Sequence, residues 1–162
     1  MNIPYLDELY GRVDFDRELV FQFFTVFSLF EYALKGTGFC LPGRSDEAQP
    51  NWAGFATAIQ PQFNPQATPE LANSVSYMLN RPVMRQEIRS GRLTFMPRMR
   101  PQNMNDVEWL SILIRGVRNN LFHGGKFRYD RPRDTELIQH SLIILEAWAQ
   151  CHPDVDQALR NI

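Results

Sequence analysis

Between Asp16 and Lys35 the apolar residues recur at steps of three and four, the spacing of a helix face. Phe23, Phe27, Phe30 and Leu34 form one stripe, and Val20, Phe24 and Leu29 widen it around the cylinder. The pattern predicts a helix over these residues, with Asp14 or Asp16 as its cap and Gly36 as its stop. A helix apolar on most sides belongs in the middle of a bundle.

The rest of the chain divides in the same way. A turn-rich stretch, "GTGFCLPGRSDEAQPN", is expected to run over the surface, followed by a short helix from Trp52 to Ile59 that Pro61 ends. Thr68 and Pro69, a cap and a first-turn proline, open a helix to about Leu79. Residues 81–104 hold Pro82, Gly91, Pro97 and Pro101 together with many arginines. They predict a long irregular basic connection with one short helix near Met84–Arg89. Asn105 and Glu108 are spaced as a reciprocal capping pair. After them Val107, Leu110, Ile114, Val117 and Leu121 make a core-facing stripe, and Gly124 is placed for a left-handed cap. Asp134 is the expected cap of a further helix to about Ala149, buried through Leu137, Ile138, Leu142, Leu145 and Trp148. A last short helix follows Pro153. Nothing alternates convincingly at period two, so the expected fold class is all-α, a small helical bundle.

With 162 residues, 44% hydrophobic and 22% charged, the composition is that of one globular domain over residues 1–162. The start of the chain has no basic region leading into an apolar core, and the longest apolar run contains Gln22 and Glu31. Neither a secretory signal nor a membrane span is therefore expected. Cys40 and Cys151 lie far apart without paired spacing, which suits a reducing, cytoplasmic setting and no metal knuckle. The net charge of −1 is unevenly spread. Residues 1–80 carry 4 basic and 9 acidic residues, residues 81–133 carry 12 and 4, and residues 134–162 carry 1 and 5. The basic middle block either forms a phosphate-facing patch or is dispersed over the surface by folding.

Chemistry-bearing residues concentrate in "VRNNLFHGGK", residues 117–126. Asn119 and Asn120 are poor helix formers and are expected to loosen the last turn. On an ideal helix Arg118 and His123 are about 140° and roughly 7.5 Å apart, but arginine is long and leans toward neighbouring turns. If the two meet, a permanently charged guanidinium and a proton-transferring imidazole are the minimum for cleaving a phosphodiester without a metal. The alternative is a capping histidine and a surface arginine. The helix end favours imidazolium at His123, whereas Arg118 and Lys126 oppose it. Glu31 lies on the apolar stripe and needs a partner; Lys35 is the local choice, but a salt bridge or hydrogen bond to Arg118, holding the guanidinium in place, is the predicted one. His140 is expected to be solvated, and neither it nor His152 has a second metal ligand nearby in sequence.

"RNNLFHGGK" resembles the signature of the HEPN superfamily, the higher eukaryotes and prokaryotes nucleotide-binding domains. That signature is an arginine, four to six residues, then a histidine, with a polar residue after the arginine. Arg118, Asn119 and His123 match it. "FFTVFSLFEYALKGTGF", the segment from Trp52 to Phe55 and "LIQHSLIILEAW" resemble a branch of small stand-alone bacterial members, so the likeness covers nearly the whole chain. The resemblance implies an antiparallel helical bundle that forms a homodimer, with two arginine–histidine motifs at one cleft. It implies a metal-independent endoribonuclease that needs no cofactor. His123 would be the acid or base and Arg118 would stabilise charge on the phosphate. Asn119 would support the site by hydrogen bonding; from the residues themselves, Asn120, Glu31 and Lys126 are further candidates to support the site or bind substrate. Such domains serve as toxins with an antitoxin partner, in phage defence or in RNA processing. Other members lack cleavage activity and bind a nucleotide or partner protein. A toxin branch silenced by nucleotidyl transfer has a tyrosine two residues after the histidine, where this chain has Gly125.

Overall fold

The computed structural model describes residues 4–11, 16–122 and 131–162, and the protein is mostly helical. Helix α1 spans Pro4–Gly11 and α2 spans Arg17–Gly36. Asp16 caps α2 by accepting from the Leu19 amide at 3.0 Å. The helix ends one residue later than expected. Gly36 is still helical, and it is Gly38 that takes φ +90°, which lets Phe39 N bond Leu34 O at 3.0 Å. Phe23, Phe27, Phe30, Ala33 and Leu34 are buried, but Phe21, Phe24 and Tyr32 are exposed. Helix α2 is therefore not enclosed on most sides as its sequence suggests; one flank faces outward with its aromatics uncovered.

Two hairpins correct the all-helical expectation. Strands β1 (Cys40–Pro42) and β2 (Ala48–Pro50) pair antiparallel within the turn-rich stretch. Strands β3 (Arg85–Arg89) and β4 (Arg92–Met96) pair where a short helix was expected. The turn between β3 and β4 is Ser90 and Gly91, at φ 50° and 73°. Two consecutive positive φ values form the turn whose twist suits a two-residue hairpin loop. No helix can pass through such a pair of residues.

The other helices follow the sequence closely. Helix α3 (Trp52–Ile59) is capped by Asn51, and α4 (Pro69–Asn80) by Thr68, whose hydroxyl accepts from Leu71 N at 3.1 Å. In α5 (Asp106–Phe122), Asn105 and Glu108 exchange the expected pair of bonds at 3.2 and 2.9 Å. Helix α6 (Arg131–Gln150) begins before its expected cap, so Asp134 lies buried in its first turn. Pro132 permits this early start, because the first turn of a helix needs no amide donor from it. Helix α7 spans Pro153–Arg160.

The core gathers around aromatic residues. Trp52 stacks on Phe27 and Phe30, with ring centroids at 5.3 and 5.4 Å, and Phe55 meets Phe30 edge-on at 5.4 Å. Each fully buried ring of this kind contributes about 1.5–3 kcal/mol through burial alone. Helix α3 packs on α5, α4 packs on α5 and α6, and α6 packs on α2 and α7. Among the described residues no helix is long and apolar enough to cross a membrane.

Candidate nucleic-acid interface

Helix α5 carries Arg118 into its last turn, and that turn does not loosen: the helix runs through both asparagines to Phe122. Tertiary bonds outweigh their low helix propensity. Asn120, only 4% exposed, donates Nδ2–H to the Met84 carbonyl at 2.8 Å and so ties α5 to the base of the β3–β4 hairpin. Asn119 faces outward and accepts from Arg118 Nη1 at 3.0 Å. The Arg118 guanidinium carbon lies 5.6 Å from the Phe27 ring centroid. A cation over an aromatic face contributes about 0.5–1 kcal/mol at a partly exposed site and restricts where the guanidinium can point. His123, Gly124 and Lys126 of the signature lie outside the described residues.

Glu31 does not pair with Arg118, nor with Lys35. Its Oε1 accepts from Trp52 Nε1 at 3.0 Å, and the ion pairs among the described residues do not include it. The two residues are related indirectly. Glu31 holds Trp52, Trp52 stacks on Phe27, and Phe27 carries Arg118. The carboxylate thus supports the floor beneath the guanidinium rather than the guanidinium itself.

The arginines of the middle block divide into two groups. Arg100 bonds the Met104 carbonyl through Nε and Nη2, at 3.0 and 2.6 Å, and pairs with Asp106 at 2.6 Å, which fastens the start of α5. Arg133 donates to the Pro82 carbonyl at 3.0 Å, and Arg81 lies over Tyr77 at 5.4 Å. These three hold chain segments together. Arg85, Arg98 and Arg115 behave differently. Burial pushes the Arg98 pKa below its ordinary value, and the like charges of Arg85 and then Arg115 push it the same way. The three cations are therefore electrostatic neighbours, close to the turn of α5 that leads to Arg118. Sequence reasoning located the basic block but could not single these out, because their meeting depends on the hairpin.

A second polar cluster was not expected. His140 is half-buried rather than solvated, with its ring 4.4 Å from that of Tyr77 and its Nδ1 2.9 Å from Ser74 Oγ. The one hydroxyl hydrogen of Ser74 goes to the Glu70 carbonyl at 2.8 Å, so His140 must donate from Nδ1. A serine that spends its proton on its own helix and accepts from the histidine is not an activated nucleophile. Tyr77 donates to Glu136 Oε2 at 2.7 Å. Burial lowers the His140 pKa, partly offset by Glu136, whereas burial and then the Glu136 bond raise that of Tyr77.

Elsewhere, a groove beside α6 is lined by Phe63, Glu70, Leu71, Glu146 and Cys151, with no lysine or arginine. It does not suit a polyanion. Among the described residues no group of three metal-ligating side chains converges. No protein-family model, curated protein or solved structure matches the chain.

Proposed function

We propose that this protein is a metal-independent endoribonuclease of the HEPN type, acting as a homodimer. The observation that carries the reading is the placement of Arg118. It lies in the last described turn of α5, held by Phe27 and Asn119, five residues before His123 and beside a basic flank. A fixed guanidinium and an imidazole five residues on in the sequence suit an in-line attack by a ribose 2′-oxygen on the adjacent phosphorus. The P–O5′ bond breaks, a base takes the 2′ proton and an acid returns one to the 5′-oxygen. The products are a 2′,3′-cyclic phosphate and a 5′-hydroxyl, and nothing else is consumed. His123 serves as acid or base, Arg118 neutralises charge growing on the phosphate, and Asn119, Asn120 and Glu31 keep Arg118 in place. Lys126 adds positive charge for the substrate.

Dimerisation is supported by the uncovered aromatics of α2. Phe24 and Phe122, 48% and 39% exposed, meet edge-on at 5.4 Å beside the signature turn, with Phe21 on the same flank. A second copy placed there would bring two signatures together. A role as a toxin with an antitoxin partner, in phage defence or in RNA processing would follow from cleavage in the cytoplasm.

The test is incubation of wild-type and His123→Ala protein with RNA in EDTA. Cleavage by the wild type alone, with cyclic-phosphate ends, is expected; equal cleavage by both, or none by the wild type on varied RNAs, overturns the reading. A second reading, a non-catalytic module that binds a nucleotide or a partner, draws on the guanidiniums near Arg118 alone. It predicts binding lost in Arg118→Ala with no cleavage in any variant.

A further inference from the structure

Among the described residues nothing offsets the cost of placing Arg98 where it lies. It follows β4 and lies flat against α5 at Gly116, where a Cβ would come within 3.0 Å of its Nη2 and 3.1 Å of its Nε. The missing side chain of Gly116 is what gives the guanidinium its seat. The buried Nε–H of Arg98 has no hydrogen-bond acceptor among the described residues. Among the described residues no carboxylate pairs with Arg98 or with Arg115. Arg85 does have an acidic partner, Glu87, but Glu87 is shared with Arg89 at 3.1 Å. On the β3 face opposite Arg85, buried Gln86 Nε2 likewise has no acceptor among the described residues.

Three neighbouring guanidiniums repel one another, and a half-buried one also loses hydration. Folded proteins tolerate such groups where a ligand supplies the missing charge and acceptors. The ligand must be an anion with several acceptor oxygens, which suits the planar donor fork of arginine. On α5, Arg115 precedes Arg118 by three residues, so the two side chains are neighbours about 5–6 Å apart at Cβ.

We propose that Arg98 and Arg115, with Arg85, form a second phosphate-binding position that holds a backbone phosphate of the RNA strand flanking the one at Arg118. The identity of the strand rests on the ribonuclease reading; the binding of a phosphate there does not. The position sets how the strand enters the site. It acts on affinity and register, and neither Arg98 nor Arg115 touches the reacting bond.

Binding of a short single-stranded RNA to the His123→Ala protein tests this across a salt series. Arg98→Gln and, separately, the exposed Arg115→Ala are expected to weaken binding about tenfold and to flatten the slope of log affinity against log salt by about 0.7. Arg98→Lys is expected to restore the slope while recovering only part of the affinity, because it returns the charge without the fork. Unchanged affinity and slope in both Arg98→Gln and Arg115→Ala overturn the proposal, and Arg115→Ala remains informative if Arg98→Gln does not fold. If RNA is bound with these losses but never cut by the wild type, the ribonuclease reading fails and the phosphate position stands. If RNA is cut and both variants bind like their parent, the reverse holds. An absence of RNA binding in the parent overturns the proposal outright.

Discussion

Trp52 donates its indole N–H to Glu31 Oε1 at 3.0 Å, which makes a tryptophan, not a cation, the partner of the carboxylate on the main apolar stripe. The bond joins α3 to α2 and fixes the ring on which Phe27 stacks. Removing the donor with Trp52→Phe leaves Glu31 without its partner, at an expected cost of about 1–3 kcal/mol. Glu31→Gln keeps an acceptor and is expected to cost less than about 1 kcal/mol. Urea denaturation of Trp52→Phe, Glu31→Ala and their double variant measures the coupling, because each single change removes the bond; strictly additive effects would show that the bond contributes nothing.

Asn120 should matter more to the fold than Asn119. Asn120→Ala leaves the Met84 carbonyl without its donor and opens a small gap at the hairpin base, with an expected loss of about 1–3 kcal/mol. Asn119→Ala, at an exposed position, is expected to change stability by less than about 0.5 kcal/mol. Paired thermal melts compare them, and a larger effect at Asn119 contradicts this division of labour.

Gly116→Ala sets helix propensity against space. Alanine favours an exposed helix interior by about 1 kcal/mol over glycine. Here its Cβ would lie 2.8 Å from Val83 Cγ1 and press on Arg98. Overpacking of this kind costs about 1–3 kcal/mol, so the variant is expected to be destabilised overall. A melting temperature above that of the wild type would mean that Val83 and Arg98 yield freely.

Stability should fall on mild acidification through His140. Burial depresses its pKa below the unfolded value near 6.5, so the unfolded chain binds the extra proton more readily. The contribution is complete above about pH 6.5 and is lost as pH falls toward and through the folded value. His140→Gln is expected to flatten the pH dependence of the unfolding free energy below about pH 6.5 relative to wild type. Identical slopes in the two proteins would assign the dependence to other groups.

Arg98→Met separates binding from folding. An apolar chain of similar length removes the desolvation cost of a half-buried charge that has no acidic partner among the described residues. The variant is expected to melt no lower than wild type while binding RNA more weakly. A lower melting temperature would mark Arg98 as a structural residue.

The helices were legible because their signals are local. Asp16, Asn105 with Glu108, and Thr68 with Pro69 each sit within a turn of the boundary they set. The β3–β4 hairpin had a local signal too, Ser90-Gly91 between two short runs, but the surrounding arginines and prolines obscured its alternation. The partners of Glu31 and Asn120 could not be read in advance. They lie 21 and 36 residues away and are chosen by how α2, α3, α5 and the hairpin pack. Arg118 could be named from its motif, whereas Arg98 depends on a glycine in a different element to give it room.

Among the described residues no further strand pairs with either edge of the β3–β4 hairpin, and Ile88 and Leu93 near its tip are 77% and 61% exposed. Unpaired strand edges next to bare aliphatic side chains invite another chain to add on and begin a fibre. Arg89 and Arg92, directly opposed across the turn, place like charges where such a neighbour would dock. They act as gatekeepers, and substituting both by neutral residues would make the protein prone to precipitate even with its native contacts intact.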